Sequence, residues 1–239
     1  ASNDGYLLQH FVARDIPCLG IEPAEKCAEA ARAKGIETRV EFFNTAPAQY
    51  LLTEGHAADL TAANNVLAHV PDISDFMAGF STILKPDGVA TFEFPHLLKM
   101  IAETQFDTIY HEHYSYLSLG VVERVMAAHD MRVFDVETLT THGGSVRVFA
   151  CRTSAHHDET SNVAATRKAE QSAKLNEPSG YTDFAPRSAG LRDELNRFIN
   201  ESRSAGKKIA AYGAAAKGNT FLNYCGATSS DISFVVDQN

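Results

Sequence analysis

The sequence lacks the features that mark membrane-spanning, secreted and nucleic-acid-binding proteins. It contains no run of about 18 or more apolar residues, and it does not open on a basic and apolar segment of the signal-peptide type. It is also short of positive charge, because 21 Lys and Arg stand against 30 Asp and Glu and the net charge is −9. A broad surface that neutralises nucleic-acid phosphates is therefore disfavoured. We expect neither a membrane nor a nucleic-acid partner, and a small-molecule ligand instead.

Cysteine is scarce and widely spaced. The four residues are Cys18, Cys27, Cys151 and Cys225, and none of them belongs to a C-x-x-C pair. This spacing predicts neither a zinc cage nor a disulfide framework, so no metal site is expected in this chain. Four reduced thiols are typical of a cytoplasmic protein, which is the localisation we predict.

What the sequence does contain is an alternation of helix-like and strand-like segments, which is typical of a parallel sheet covered by helices. Apolar spacing, capping residues and β-rich runs define the segments up to residue 94. The predicted helices are 7–13, Ala24–Lys34 closed by Gly35, and one that is capped by Asp72 or Ser74 and runs to Leu84. The predicted strands are Cys18–Ile21, Thr38–Phe43, Asp59–Val66 and Val89–Phe94, with a turn over Lys85–Gly88.

Alternating apolar residues then predict an antiparallel pair at the sheet edge, over Met131–Glu137 and Ser145–Cys151. The polar residues 153–190 predict a solvated helix and a loop around Pro178, Gly180 and Pro186. An apolar stripe predicts a further helix that ends at Gly206, and its members are Leu191, Leu195, Phe198 and Ile199.

A second unit of strand, small-residue turn and helix begins at Lys208 and is followed by a strand over Ile232–Val236. A sheet that ends on its second strand leaves a bare edge, so we expect this unit to be incomplete. The predicted domains are 1–153, a helical connecting segment 154–206, and the start of a C-terminal α/β domain at 207–239.

The first five residues, Ala1 to Gly5, are predicted to form the turn between a strand that precedes the chain and the first helix. In folds that bind nucleotide-type cofactors, such a turn approaches the cofactor and an acidic residue about 20 positions later binds the ribose hydroxyls. Glu22 has that position, and a carboxylate accepts hydrogen bonds from two vicinal hydroxyls. The turn has one glycine rather than G-x-G-x-x-G, so Glu22 as a mere strand end is an open alternative.

Asn64 and Asn65 follow one another at the end of a predicted strand. A buried strand end rarely carries two amides without hydrogen-bond partners, so the pair is a candidate contact for the same cofactor. A cap of the following turn is the alternative interpretation.

The densest chemical cluster is the run from Phe106 to Tyr116, with the sequence FDTIYHEHYSY. An imidazole titrates near neutrality, a carboxylate can orient it, and a phenol can hydrogen-bond a developing oxyanion. The run therefore predicts acid and base chemistry. The H-x-H spacing differs from a helical zinc motif, and structural polar residues beneath a loop are the plain alternative.

Two glycine-containing segments are candidate ligand contacts. His142, Gly143, Gly144 and Ser145 precede a strand, and their glycines let a backbone approach a ligand closely, although a hairpin turn explains them equally well. The run from Gly213 to Asn219 opens a helix after a strand, where Lys217 is placed for a phosphate. Tight packing of small residues is the alternative there.

These pieces together resemble the sugar C-methyltransferases, which add a branch methyl to thymidine-diphosphate-linked keto deoxysugars. The resemblance follows the family's order along nearly the whole chain and is most specific in its last and fifth segments. The matching segments are SNDGYLLQHF, GIEPA, ANNVLAHVPD, FEFPHL, QFDTIYHEHYSYLSL, HGGSVRVF and YGAAAKGNTFLNYCG.

The resemblance implies a Rossmann-like domain for S-adenosylmethionine (SAM), with a mostly parallel sheet and an antiparallel edge, and then a helical segment and the start of a second Rossmann-like unit. The family also has an N-terminal zinc-binding module, which this chain does not contain, so zinc is expected only there. SAM is the implied cofactor, held by Ser2, Asn3, Asp4, Gly5, Glu22, Asn64 and Asn65.

The family's active-site block falls on Tyr110, Glu112 and His113. The resemblance implies that His113 removes the proton beside a ketone, while Tyr110 and Glu112 orient the base or stabilise the enolate, whose carbon then takes the methyl group. The nucleotide sugar is implied to bind residues of the two glycine-containing segments, namely His142, Gly143, Gly144, Ser145, Lys217 and Asn219. Rival functions are a methyltransferase acting on oxygen or nitrogen, a noncatalytic nucleotide-sugar binding protein and a nicotinamide oxidoreductase.

Overall fold

The computed structural model describes residues 2–238, so Ala1 and Asn239 lie outside the described part. Ala1 is one of the five residues of the predicted cofactor turn. The helices are α1 Gln9–Val12, α2 Glu25–Ala33, α3 Thr45–Thr53, α4 Ile73–Ile83, α5 Leu97–Ala102, α6 Leu119–Ala127, α7 Ser161–Ser172, α8 Phe184–Ser204 and α9 Ala216–Cys225. The strands are β1 Gly20–Ile21, β2 Thr38–Arg39, β3 Ala58–Asn64, β4 Leu84–Pro95, β5 Met131–Leu139, β6 Ser145–Arg152, β7 Ala211–Tyr212 and β8 Val235–Val236. Short 3₁₀ turns lie at Leu67–His69, Phe106–Thr108, Thr141–Gly143 and Pro178–Tyr181.

The strands form one four-stranded sheet and two parallel pairs. The large sheet has the order β3-β4-β6-β5, in which β3 and β4 are parallel and the pairs β4–β6 and β6–β5 are antiparallel. The smaller pairs are β1–β2 and β7–β8. The prediction of an antiparallel edge is thereby confirmed, since β5 closes the sheet.

Strand β3 pairs with β4 along one edge, and its other edge pairs with no described strand. Residues of this strand that a central position would bury are instead open, and Leu60 is 48% exposed.

The core lies between the four-stranded sheet and the helices α4, α6 and α7. Its fully buried members come from alternate positions of the strands and from one face of each helix, because apolar side chains there leave water together. They include Phe92, Met77, Val122, Val148 and Val163, each with no exposed surface. The phenyl rings of Phe76 and Phe80 pack edge to face with centroids 5.0 Å apart.

Polar side chains define where the helices begin. Asp72 caps α4 by accepting hydrogen bonds from the N–H groups of Ser74 and Asp75, so Asp72 rather than Ser74 is the cap. Asn44 caps α3, and Ser118 caps α6 through the N–H of Val121. Neither α3 nor α6 is among the predicted helices.

Strands β1 and β8 begin later than predicted, at Gly20 and Val235. Three further sequence predictions are wrong in detail. Strand β2 ends at Arg39, so the predicted extension to Phe43 is absent and Phe42 is 76% exposed. The predicted turn Lys85–Gly88 belongs to β4 as an irregular insertion, since Ala58 pairs with Leu84 whereas Leu60 pairs with Val89. The loop predicted around Pro186 is helix, because proline in a first helical turn sacrifices no intrahelical hydrogen bond.

The C-terminal region contains the predicted strand, turn and helix as β7 and α9, followed by β8. Helix α9 ends at Gly226, whose φ of 71° is the left-handed conformation that glycine adopts without strain. Helix α8 precedes this region and has the predicted stripe, although only Ile199 of that stripe is buried and Phe198 is 56% exposed.

Candidate active site

Glu22 lies directly after β1 and is buried, with 5% of its surface exposed. Its two carboxylate oxygens accept the backbone N–H groups of Asn3, at 2.8 Å, and Ala24, at 2.9 Å. The residue therefore fastens the turn before α1 to the end of β1. A carboxylate has about four acceptor positions, so two remain for a ligand.

The other residues of this turn are used differently from one another. Ser2 continues the strand end, since its N–H donates to the carbonyl of Ile21 at 2.9 Å. Gly5 has a φ of 77°, and a Cβ there would lie 2.2 Å from Ile36, so this glycine serves packing rather than approach to a ligand. Asp4 is partly exposed and pairs with Lys34 at 2.7 Å, a hydrogen bond that lowers the pKa of the Asp4 carboxyl.

Strand β3 ends at Asn64, two residues before the predicted end at Val66, and Asn65 follows the strand directly. The Oδ1 atoms of both side chains are buried and have no hydrogen-bond partner among the described residues. The backbone of Asn65 has a φ of 54°, and its N–H donates to the carbonyl of Glu93 at 2.7 Å. Buried amide oxygens without a partner are costly, so this strand end is suited to a ligand with hydrogen-bond donors.

The 106–118 segment connects α5 with α6 and contains His113. The Nδ1 atom of His113 lies 2.7 Å from the carbonyl oxygen of Thr108, and since a carbonyl only accepts, Nδ1 carries the proton. The neutral ring then has its lone pair on Nε2. This is the tautomer that a general base at Nε2 requires.

Three rings surround the imidazole of His113, which is half-buried. The ring centroid of Tyr110 lies 4.4 Å away, that of His69 4.8 Å and that of Tyr116 6.3 Å. The residues that line the adjacent small pocket include Ala68, Pro95, Leu97, Met100, Gln105 and Ser115. Apolar and aromatic walls of this kind exclude water from a reacting group.

Both tyrosines of this cluster hold their protons firmly. Burial raises the pKa of Tyr110, and the charges of Glu112 and Asp107 raise it further. Burial also raises the pKa of Tyr116, with a smaller contribution from Tyr110. At neutral pH both phenols are therefore hydrogen-bond donors, as the stabilisation of an oxyanion requires.

Glu112 is the predicted site residue whose carboxylate is least engaged. The side chain is exposed, and its hydrogen bond to the cluster comes from its backbone, whose carbonyl accepts from Nδ1 of His69 at 2.9 Å. The role that orients His113 falls to the Thr108 carbonyl instead. Glu112 acts on Tyr110 through its charge.

The 106–118 segment is tied to the end of β3. The N–H groups of Tyr114 and Ser115 donate to the carbonyl of Ala68, at 2.8 and 3.3 Å. Ala68 follows Asn64 and Asn65 by one short turn, so the two candidate groups of residues are linked through the backbone.

Residues His142–Gly144 lie in the loop between β5 and β6, and Ser145 is the first residue of β6. Because the two strands are an antiparallel pair, this loop is the hairpin turn that the sequence analysis gave as the alternative. Gln105 donates to the carbonyl of Gly143 at 2.7 Å, and a Cβ on Gly144 would lie 2.8 Å from Lys99. Its two glycines thus let the loop lie against the residues that precede the 106–118 segment. Ser145 is buried and donates to the carbonyl of Thr141, so its hydroxyl is not offered to a ligand.

Helix α9 brings the C-terminal region to the same place. Tyr224 packs on Phe106 with ring centroids 4.7 Å apart, and Nζ of Lys217 lies 3.4 Å from the carbonyl of His142. Asn219 instead accepts a hydrogen bond from Asn223 within the helix. Lys217 therefore reaches the candidate substrate residues, and the Asn219 side chain is occupied within α9.

Sequence reasoning did not nominate three residues that the structure places at His113. Thr108 and Tyr116 stand inside the conspicuous run, and their roles follow only from the folded geometry. His69 stands in the segment ANNVLAHVPD, 44 positions before His113, and its position after a strand end was the available signal.

No three His, Cys, Asp or Glu side chains within residues 2–238 converge on a possible metal position. Within the same range, none of the helices combines the length and apolar character needed to cross a bilayer.

Residues 2–136 match the family described as methyltransferase domain, and the chain belongs to it. Residues 140–239 match the family described as C-methyltransferase C-terminal domain. The two matches meet between residues 136 and 140, at the end of β5.

Among individual proteins, the chain is similar to the C-methyltransferase NovU of Streptomyces niveus, with 35% identity over 236 residues. The match covers 99% of this chain and 56% of that relative, so the chain spans little more than half of its length. Among solved structures, the fold is similar to magnesium protoporphyrin IX methyltransferase (ChlM) from Synechocystis PCC 6803 with bound SAH. The TM-score is 0.50 at 13% identity, over 63% of this chain and 71% of that one. The fold is therefore Rossmann-like, as predicted.

Proposed function

We propose that the protein is a SAM-dependent C-methyltransferase that methylates the carbon beside the ketone of a nucleotide-linked keto deoxysugar. The observation that carries the proposal is the His113 imidazole, whose Nδ1 is bound to a backbone carbonyl and whose Nε2 is free to take a proton. The match to a C-methyltransferase family and the similarity to NovU support the reaction type. The sugar substrate rests on the sequence resemblance.

The residues at the two strand ends suit SAM. The buried amide oxygens of Asn64 and Asn65 can accept from the amino groups of such a ligand, and Glu22 has acceptor capacity left for ribose hydroxyls. We propose that Ser2 and Asn3 contribute to this SAM site through their backbone. When bound, SAM supplies an electrophilic methyl group on a sulfonium.

His113 then acts as the base. The carbon beside a ketone loses its proton to Nε2, and the ring becomes an imidazolium that still donates from Nδ1 to the Thr108 carbonyl. The hydrogen bond to that carbonyl strengthens as the ring gains charge, so it orients the base and stabilises the product of the proton transfer.

Tyr110 is the proposed partner of the enolate oxygen. Its phenol is protonated at neutral pH, and its ring lies against His113, so base and donor approach the same substrate group from one side. The negative charge of Glu112 contributes to the raised pKa of Tyr110 and so helps to keep this phenol protonated.

We place the nucleotide sugar between the 106–118 segment, the loop around His142 to Gly144 and Lys217 on α9. The Lys217 ammonium near this loop suits the negative charge of a diphosphate. We also propose a cytoplasmic localisation, for which the argument is the scarce and widely spaced cysteines of the sequence.

Proton exchange tests this function without any methyl transfer. A keto sugar nucleotide is incubated with the full-length protein in deuterated water in the absence of SAM, and the α-proton is followed by NMR. We expect exchange that requires His113. A protein that transfers methyl groups without catalysing exchange is instead a methyltransferase for oxygen or nitrogen, and one that binds the nucleotide but does neither is a binding protein.

A further inference from the structure

Glu170 lies on α7, in the connecting segment, and is buried with 4% of its surface exposed. Its carboxylate accepts three hydrogen bonds from residues far away in the sequence. Oε1 accepts from Nε2 of His96 at 2.7 Å and from the N–H of Leu119 at 2.5 Å, and Oε2 accepts from the N–H of Gly120 at 3.0 Å. Leu119 and Gly120 form the first turn of α6, directly after the 106–118 segment.

The His96 side of this cluster reaches the same segment by a second route. His96 directly precedes α5, and the N–H of the next residue, Leu97, donates to the carbonyl of Leu117 at 2.9 Å. The N–H of His96 itself donates to the carbonyl of Gly144 at 3.0 Å. Glu170 and His96 together therefore hold the end of the 106–118 segment and touch the loop of the candidate substrate residues.

A carboxylate is well suited to this position. Burial raises the pKa of Glu170, but the hydrogen bonds from His96, Gly120 and Leu119 outweigh the effect of burial, and the pKa is lowered. The ionised side chain meets the N–H groups at the start of a helix, where negative charge is stabilised.

We propose that Glu170 is a positioning residue: from the connecting segment it holds the end of the 106–118 segment and thereby sets the place of His113. It touches neither His113 nor the reacting atoms, so its effect is indirect. The catalytic consequence rests on the proposed function. The holding of the segment is a statement about the fold and is measurable without turnover.

Glu170→Gln in the full-length protein is the primary test. The amide of Gln turns one N–H₂ toward a backbone N–H or toward Nε2–H of His96, so at least one donor loses its acceptor. We expect kcat to fall about tenfold or more, the scale of a lost hydrogen bond to a charged group, with the affinity for SAH unchanged. Amide hydrogen exchange is expected to accelerate in residues 106–120.

Val163→Ala is the matched control, because Val163 is buried on the same helix and contacts the core. We expect it to lower the melting temperature while the three hydrogen bonds of Glu170 remain. We expect kcat per folded molecule to stay at the wild-type level in this variant. His96→Gln, whose Nε2 can donate to Glu170 in place of the imidazole, is expected to keep more activity than His96→Ala.

Equal kcat in Glu170→Gln and Val163→Ala at matched stability, with unaltered exchange in residues 106–120, overturns the proposal. Should the wild-type protein transfer no methyl group and exchange no α-proton, the proposed function fails. Hydrogen exchange then decides alone whether Glu170 holds the segment, since faster exchange confined to residues 106–120 supports it and unchanged exchange refutes it.

Discussion

The end of β3 and the 106–118 segment use their polar groups in opposite ways. At the end of β3, the amide oxygens of Asn64 and Asn65 are buried without a partner among the described residues. In the 106–118 segment, the Nδ1 atom of His113 and the N–H groups of Tyr114 and Ser115 are all bound to backbone carbonyls. The first region resembles a site whose hydrogen bonds are completed by a ligand, whereas the second is already held in place.

This difference separates binding from turnover. A polar side chain that makes no hydrogen bond within the protein can be removed with little loss of stability, and its removal lowers the affinity for the ligand instead. Groups that are held in place define the geometry of a reacting atom, and their loss appears in kcat. Three substitutions test the separation, and each has a control residue in the same chain.

His113→Asn is expected to have the largest effect. The Asn amide can take the place of Nδ1 and donate to the Thr108 carbonyl, so the segment keeps its hydrogen bond and loses only Nε2. We expect kcat to fall by about 10³, within the range for loss of a general base, while calorimetric titration shows unchanged SAH affinity. His111→Asn, at an exposed position of the same segment, is expected to remain active. Near-normal methyl transfer by His113→Asn contradicts the mechanism.

Tyr110→Phe is expected to have an intermediate effect. The ring remains against His113, and only the phenol that donates to the enolate is lost. We expect kcat to fall about 100-fold, the scale of one lost oxyanion donor, with stability nearly unchanged. Steady-state kinetics are compared with those of Tyr114→Phe, since Tyr114 is 63% exposed in the same segment. Equal kcat values for the two variants would remove Tyr110 from the mechanism.

Asn64→Ala is expected to have the smallest effect and a different kind of effect. Its Oδ1 has no partner in the described chain, so removal leaves no protein donor unsatisfied and the melting temperature should hold or rise. We expect the Kd for SAH to increase about tenfold, as for one lost hydrogen bond. Asn200→Ala on the exposed side of α8 is the control. A large fall in stability with unchanged affinity would make Asn64 a structural residue.

Much of the architecture follows from local pattern. Alternation of apolar residues predicts β5 and β6, and a polar cap at Asp72 or Ser74 predicts the start of α4, because both signals depend on neighbours in the sequence. Helix α3 is not among the predicted helices, although its cap, Asn44, is also a local signal. The predicted strand over residues 40–43 is absent for a different reason, since these residues pair with no strand among the described residues.

The sequence by itself determined the α/β order, the antiparallel edge and the presence of a His and Tyr cluster, because these are encoded by residues that stand close together. Only the tertiary structure decided the tautomer of His113, the contact with His69 and the hold of Glu170 on α6. Glu170 lies 74 positions from His96 and 51 from Leu119. Contacts between residues so far apart produce no periodic pattern in the sequence, since they depend on which surfaces the core brings together.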